Sequence, residues 1–203
     1  MRMLAFLLAW LALAPPVGAE ETEAPLKQTR FLGGQFLIAG PGMRDPRFRE
    51  TVIYMVSHDR QGALGLVVNQ VLGKGPLKDL LADAGIAAPE DMEGEIDLHI
   101  GGPVETRRVF ILHKGDWRGP ATESLAGGMS MTTTPDILEA LAKREGPKEF
   151  VVIAGYSGWG PGQLEKEMAR GDWITAPSDI GLVFDRDQAG KWQRASKRGG
   201  LAL

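Results

Sequence analysis

The chain of 203 residues contains no cysteine. That absence excludes disulfides, thiolate zinc sites, iron–sulfur clusters, a cysteine nucleophile and a lipidated N-terminal Cys. An excess of positive charge is missing too, because 23 Lys and Arg stand against 26 Asp and Glu. A general nucleic-acid binder carries a basic surface, so nucleic acid is not an expected partner. Histidine is scarce: His58, His99 and His113 are the three, and no H-x-H or H-x-x-x-H spacing brings two together. A site built from two imidazoles and Asp59 would rest on tertiary contacts alone, so no metal or cofactor is expected. No long apolar run follows the N-terminus, so no membrane span is expected in the remainder.

The one apolar run, Leu4 to Ala14, follows the positive Arg2 and ends at Pro15 and Pro16. Val17-Gly18-Ala19 then supplies small residues before Glu20 and Glu21. This is the order of a bacterial secretory signal, and the run is too short for the roughly 20 residues of a spanning helix. Residues 1–19 are therefore read as a signal peptide and 20–30 as a flexible leader, followed by a single domain over 31–195 and a short tail over 196–203. A periplasmic or secreted location is expected, with a cytoplasmic one as the alternative. The tail, with Lys197, Arg198, Gly199 and Gly200, is expected to fray.

Glycine and proline cluster between apolar segments without a fixed period. Phe36–Ala39, Thr51–His58 and Ala63–Asn69 are apolar on both alternating faces, which predicts central strands covered on both sides. Asp59 to Gly62 is a natural hairpin loop between the last two. Further strands are predicted at Asp97–Ile100, Arg108–His113 and Glu149–Tyr156. Leu77, Leu80, Leu81 and Ala84 form one helical stripe. A second helix is expected after Thr134 as cap and Pro135 in the first turn, and a third from Pro161 to Arg170. Ile180–Phe184 fits a strand or a helical turn. Short loops between strands, with helices at irregular intervals, predict an α+β fold with a twisted, mainly antiparallel sheet.

One turn invites a catalytic reading. Gly155-Tyr156-Ser157-Gly158-Trp159-Gly160 follows a strong strand and precedes a helix, the setting of a nucleophile elbow. The second glycine comes one residue early, however, and no histidine follows His113. The competing reading is a tight turn whose aromatic residues pack or line a cleft. Arg44, Arg47 and Arg49 with Asp45 and Glu50 make a mixed-charge loop, not a basic patch. Glu165 and Glu167 stand two apart on the third helix, share no face and read as solvated.

Six segments in order resemble the AlgH/YqgE family of bacterial proteins. They are Phe36–His58 (FLIAGPGMRDPRFRETVIYMVSH), Gly62–Gln70 (GALGLVVNQ), Ile100–His113 (IGGPVETRRVFILH), Thr132–Ala142 (TTTPDILEALA), Gly155–Glu167 (GYSGWGPGQLEKE) and Trp173–Asp179 (WITAPSD). The resemblance implies that family's fold, a twisted sheet or flattened barrel flanked by helices. It supplies no established catalytic residues. Many members carry Cys then Glu where Val56 and Ser57 stand here. The matching residues are mostly Gly, Pro, aromatic and aliphatic, a set suited to shaping a groove. Asp45, Pro46, Gly101, Gly102, Pro103, Tyr156, Ser157, Gly158, Trp159 and Gln163 are expected to converge on one ligand-binding cleft. The functional expectation is an exported, non-catalytic binding or regulatory protein with a protein or small-molecule partner. A hydrolase using Ser157 and a cytoplasmic regulator linked to transcription are the alternatives.

Overall fold

A computed structural model describes residues 31–201. The expected signal and leader, 1–30, lie outside the described residues. In chain order the elements begin with β1 (Gln35–Ala39), β2 (Val52–Asp59), β3 (Gly62–Val67), β4 (Val71–Pro76), α1 (Leu77–Asp83) and β5 (Glu95–Ile100). They continue with β6 (Val104–Lys114), β7 (Glu123–Ser124), β8 (Met129–Thr132), α2 (Asp136–Ala142) and β9 (Phe150–Trp159). The last are α3 (Gln163–Ala169), β10 (Trp173–Pro177), α4 (Ile180–Phe184) and α5 (Gln188–Arg198). The sheet runs β10-β1-β2-β3-β9-β6-β8-β7, with β5 also on β9 and β4 outside β5. Every pairing is antiparallel except β5 with β9. The sheet curls into a half-barrel, an α+β fold. Among these residues no helix is long and apolar enough to cross a membrane.

The central strands bury both faces, as their unbroken apolar runs require. Phe36, Ile38, Tyr54 and Leu66 point into one core, which also takes Phe110, Leu112 and Ile153 and is closed by Leu182, Val183 and Ala195 from α4 and α5. The alternate residues Leu37, Ala39, Ile53 and Met55 point into a second core with Leu164 of α3, Trp159 and Trp173. The period of two in an extended chain thus makes two separate cores from one set of strands. The hairpin falls where expected, with Asp59 opposite Gly62 and the Asp59 carboxylate accepting from the Gln61 N–H at 2.7 Å.

Two local expectations are corrected. Thr134 does not cap α2: its hydroxyl donates to the Asp136 carboxylate, and Pro135 occupies the cap position. The segment from Ala195 does not fray, because α5 continues to Arg198 with Ala195 and Ser196 buried. Helix α5 is tied down by polar groups. The Asp187 side chain caps its start by accepting from the Gly190 N–H, and Trp192 donates to the Ala39 carbonyl at 2.9 Å. Lys191, fully buried, donates to the carbonyls of Val68 at 2.9 Å and Val183 at 2.8 Å. Burial pushes its ammonium down to about 8.

Candidate functional site

The Ala39–Trp173 register between β1 and β10 sets the loop after β1 beside the beginning of β10. The Gly40 N–H donates to the Asp172 carbonyl at 2.8 Å and holds the loop there. A cleft of about 800 Å³ opens between that loop and α3. The loop contributes Gly42 to Asp45, Arg47 and Phe48 to its wall. The end of β9 and helix α3 contribute Gly158, Trp159, Gln163, Glu167 and Arg170, and the start of β10 contributes Gly171, Asp172 and Trp173. Pro103 completes the lining.

Glu167 organises the floor. One carboxylate oxygen, Oε2, accepts from both indole N–H groups, Trp159 and Trp173, each at 2.8 Å. The other, Oε1, accepts from the Gln163 side chain at 2.9 Å, and the Gln163 carbonyl oxygen accepts from the Gly160 N–H. The rings stand edge to face: Trp159 and Trp173 have centroids 5.9 Å apart, Phe48 and Trp173 5.5 Å. The reading of Glu165 and Glu167 as solvated is therefore corrected. Glu165 instead bonds the His58 ring at 3.1 Å. Because His58 Nδ1 accepts the Leu32 N–H, Nε2 carries the proton and donates to Glu165. Glu167→Leu is expected to leave two nearly buried indole N–H groups unpaired and to cost about 2–3 kcal/mol in urea unfolding. Glu167→Gln, which keeps an acceptor, should cost about half as much, and equal losses would show that the bonds contribute nothing.

Of the residues expected at one cleft, Asp45, Pro103, Gly158, Trp159 and Gln163 do line it. Pro46 is exposed on the same loop without lining it. Gly101, Gly102, Tyr156 and Ser157 lie elsewhere. Tyr156 packs edge-on against Phe110 in the first core. Ser157 is buried and donates to the Gly101 carbonyl at 3.0 Å. No hydrogen bond joins Ser157 to a histidine among the described residues. His113 is held by the Lys114 carbonyl and the Thr132 hydroxyl, and burial lowers its pKa. His99 is fully buried with neither ring nitrogen partnered by a protein group. Arg44, Phe48, Glu167, Arg170, Asp172 and Trp173 complete the cleft without having been expected there.

Asp45 and Arg47 form a forked pair, Nη2 at 2.6 Å and Nε at 3.0 Å, and the guanidinium holds the Asp45 carboxyl below the usual carboxylate range. Arg170 grips Asp172 likewise, through Nη2 at 2.6 Å and Nε at 3.0 Å. These pairs stiffen the two rims of the cleft; exposed as they are, they add little stability.

A curled antiparallel half-barrel with helices on both faces, opening a cleft at one end, defines the architectural class. Within that class the chain belongs to the AlgH-like family (DUF179), which matches it over residues 36–203. A UPF0301 protein of Methylococcus capsulatus is 45% identical over 84% of this chain and 92% of its own length. One of Rhodospirillum rubrum is 39% identical over 86% and 91% respectively. The solution structure of the AlgH protein of Pseudomonas aeruginosa superposes with a TM-score of 0.72 at 37% identity, covering 89% of this chain and 95% of that one. A protein of Corynebacterium diphtheriae shares the fold with a TM-score of 0.66 at 21% identity, covering 85% and 90%.

Proposed function

We propose that this protein is an exported, non-catalytic binding or regulatory protein whose ligand occupies the Trp159–Trp173 cleft. The observation that carries the reading is the Glu167 clasp. A carboxylate spent on fixing two indoles makes a rigid, concave aromatic wall, the kind of surface that recognises a ligand without reacting with it. The placement of Ser157 supports the same reading: its hydroxyl is buried against a carbonyl and does not line the cleft, so it is no nucleophile for a molecule held there. The order of charged, apolar and small residues in the first 19 positions supports export.

The protein gently purified from its source and weighed by native mass spectrometry tests the proposal. The expected result is a chain beginning after Ala19 that carries a bound ligand or partner, with occupancy reduced in a Phe48→Leu variant. A chain retaining residues 1–19 would overturn the exported location. Turnover of any substrate, abolished by one substitution in the cleft, would overturn the non-catalytic reading.

A further inference from the structure

The charges in the cleft do not cancel locally. Of the six charged residues in its lining, four are committed to each other as Arg47–Asp45 and Arg170–Asp172. Arg44 and Glu167 remain. Arg44 is exposed and has no carboxylate within ion-pair distance among the described residues. Glu167 is half-buried and accepts from neutral donors alone, namely two indoles and one amide. The cleft therefore presents one uncompensated negative charge at its aromatic floor and one uncompensated positive charge on its loop wall.

We infer, resting on the binding role proposed above, that the cleft selects a small zwitterion. Its organic cation would sit against Trp159, Trp173 and Phe48 beside Glu167, and its carboxylate would sit on Arg44. Aromatic faces attract cations through their quadrupole, most strongly for Trp. Donation of both indole N–H groups to a carboxylate pushes electron density into the rings and strengthens that attraction. The Glu167 lone pairs also discriminate among cations. Of about four acceptor positions on a carboxylate, three are occupied here. A primary ammonium that needs several acceptors is poorly served, whereas a quaternary ammonium needs none and meets only rings and charge. The carboxylate end answers the guanidinium of Arg44, which is built for that geometry.

Glycine betaine is the probe, titrated into the full chain and followed by tryptophan fluorescence and calorimetry. Two comparison probes separate its ends. 3,3-Dimethylbutanoate has the same shape and carboxylate with an uncharged tert-butyl group, and choline keeps the cation without the carboxylate. Betaine is expected to give a saturable response, with 3,3-dimethylbutanoate weaker by about tenfold or more. Arg44→Gln, a substitution at an exposed side chain, should weaken betaine several-fold and leave choline unchanged. Equal affinity for betaine and its tert-butyl isostere would overturn the inference, and so would the absence of any saturable response to betaine. In either case a cleft ligand seen by native mass spectrometry would keep the binding role standing. A saturable betaine response insensitive to both Arg44→Gln and Phe48→Leu would place the zwitterion elsewhere and likewise overturn the inference.

Discussion

Acidification from pH 6.5 to pH 4 is expected to remove about 3 kcal/mol of stability through one side chain, His99. Burial is the main cause of its lowered pKa, which falls to about 4 from the ordinary 6.5; Lys191 and Lys74 push the same way and Asp97 opposes them. Above pH 6.5 the ring is neutral in the folded and unfolded chains alike, and it contributes no pH dependence. As pH falls, the unfolded chain takes up the proton while the folded chain refuses it, so the unfolded state gains. The loss grows until the folded ring protonates near pH 4 and is constant below that. His113, also lowered by burial, adds a loss of the same sign. Asp45, Asp91 and Asp187, held low by arginines, contribute only below their ordinary 3.8, outside this window. Urea unfolding across the pH range should therefore show a steep acid limb that flattens substantially in His99→Leu. At neutral pH that variant should lose little, because the ring has no protein hydrogen bond to forfeit. An NMR titration placing the His99 ring near pH 6.5 would defeat the prediction.

Gly102→Ala should destabilise the protein by about 3–5 kcal/mol or prevent soluble expression, the sum of backbone strain and overpacking. Gly102 adopts a φ of +151°, and a Cβ there would stand 2.3 Å from the Tyr156 carbonyl carbon and oxygen and 2.4 Å from the Ser157 nitrogen. These are backbone atoms of a central strand and cannot swing aside. The neighbouring Gly101 carbonyl ties three strands together. It follows β5, accepts the Val67 N–H of β3 at 3.1 Å, and accepts the Ser157 hydroxyl of β9 at 3.0 Å. Gly73→Ala is the control: nothing lies within 4 Å of its Cβ position, and a change within about 0.5 kcal/mol is expected. Equal losses at both positions, measured by thermal unfolding, would refute the close-approach argument.

The elements legible in the sequence are those whose apolar residues keep a clear period. The two-faced runs around Leu37, Ile53 and Leu66 became central strands, and the stripe of Ile137, Leu138 and Leu141 became α2. Helix α5 was hidden because its buried face is carried by Lys191, Ala195 and Ser196, which no hydrophobic period detects. Strand β4 was hidden by Gly73, Gly75 and Pro76, residues poor in strand propensity; it forms at the outer edge of β5. At the cleft, the turn around Trp159 was legible because its glycines sit between a strand and a helix. Glu167 was not, since a helical carboxylate ordinarily faces water. The one available signal was its spacing, four residues after Gln163 and eight after Trp159, which stacks the three along one side of α3. Gly101, Gly102 and Ser157 were misjudged for a related reason: residues that let backbones touch look in sequence like residues that let a ligand approach.

Strand β1 has its two neighbours at opposite ends of the chain, β2 directly after it and β10 from Trp173 to Pro177. During synthesis, its outer edge stays unpaired until the ribosome has released nearly the whole polypeptide. Long-range pairings of this kind slow folding and leave an adhesive strand edge open meanwhile. The nascent chain therefore depends on chaperone cover for most of its elongation, and loss of the last thirty or so residues should yield an insoluble product and not a smaller folded one.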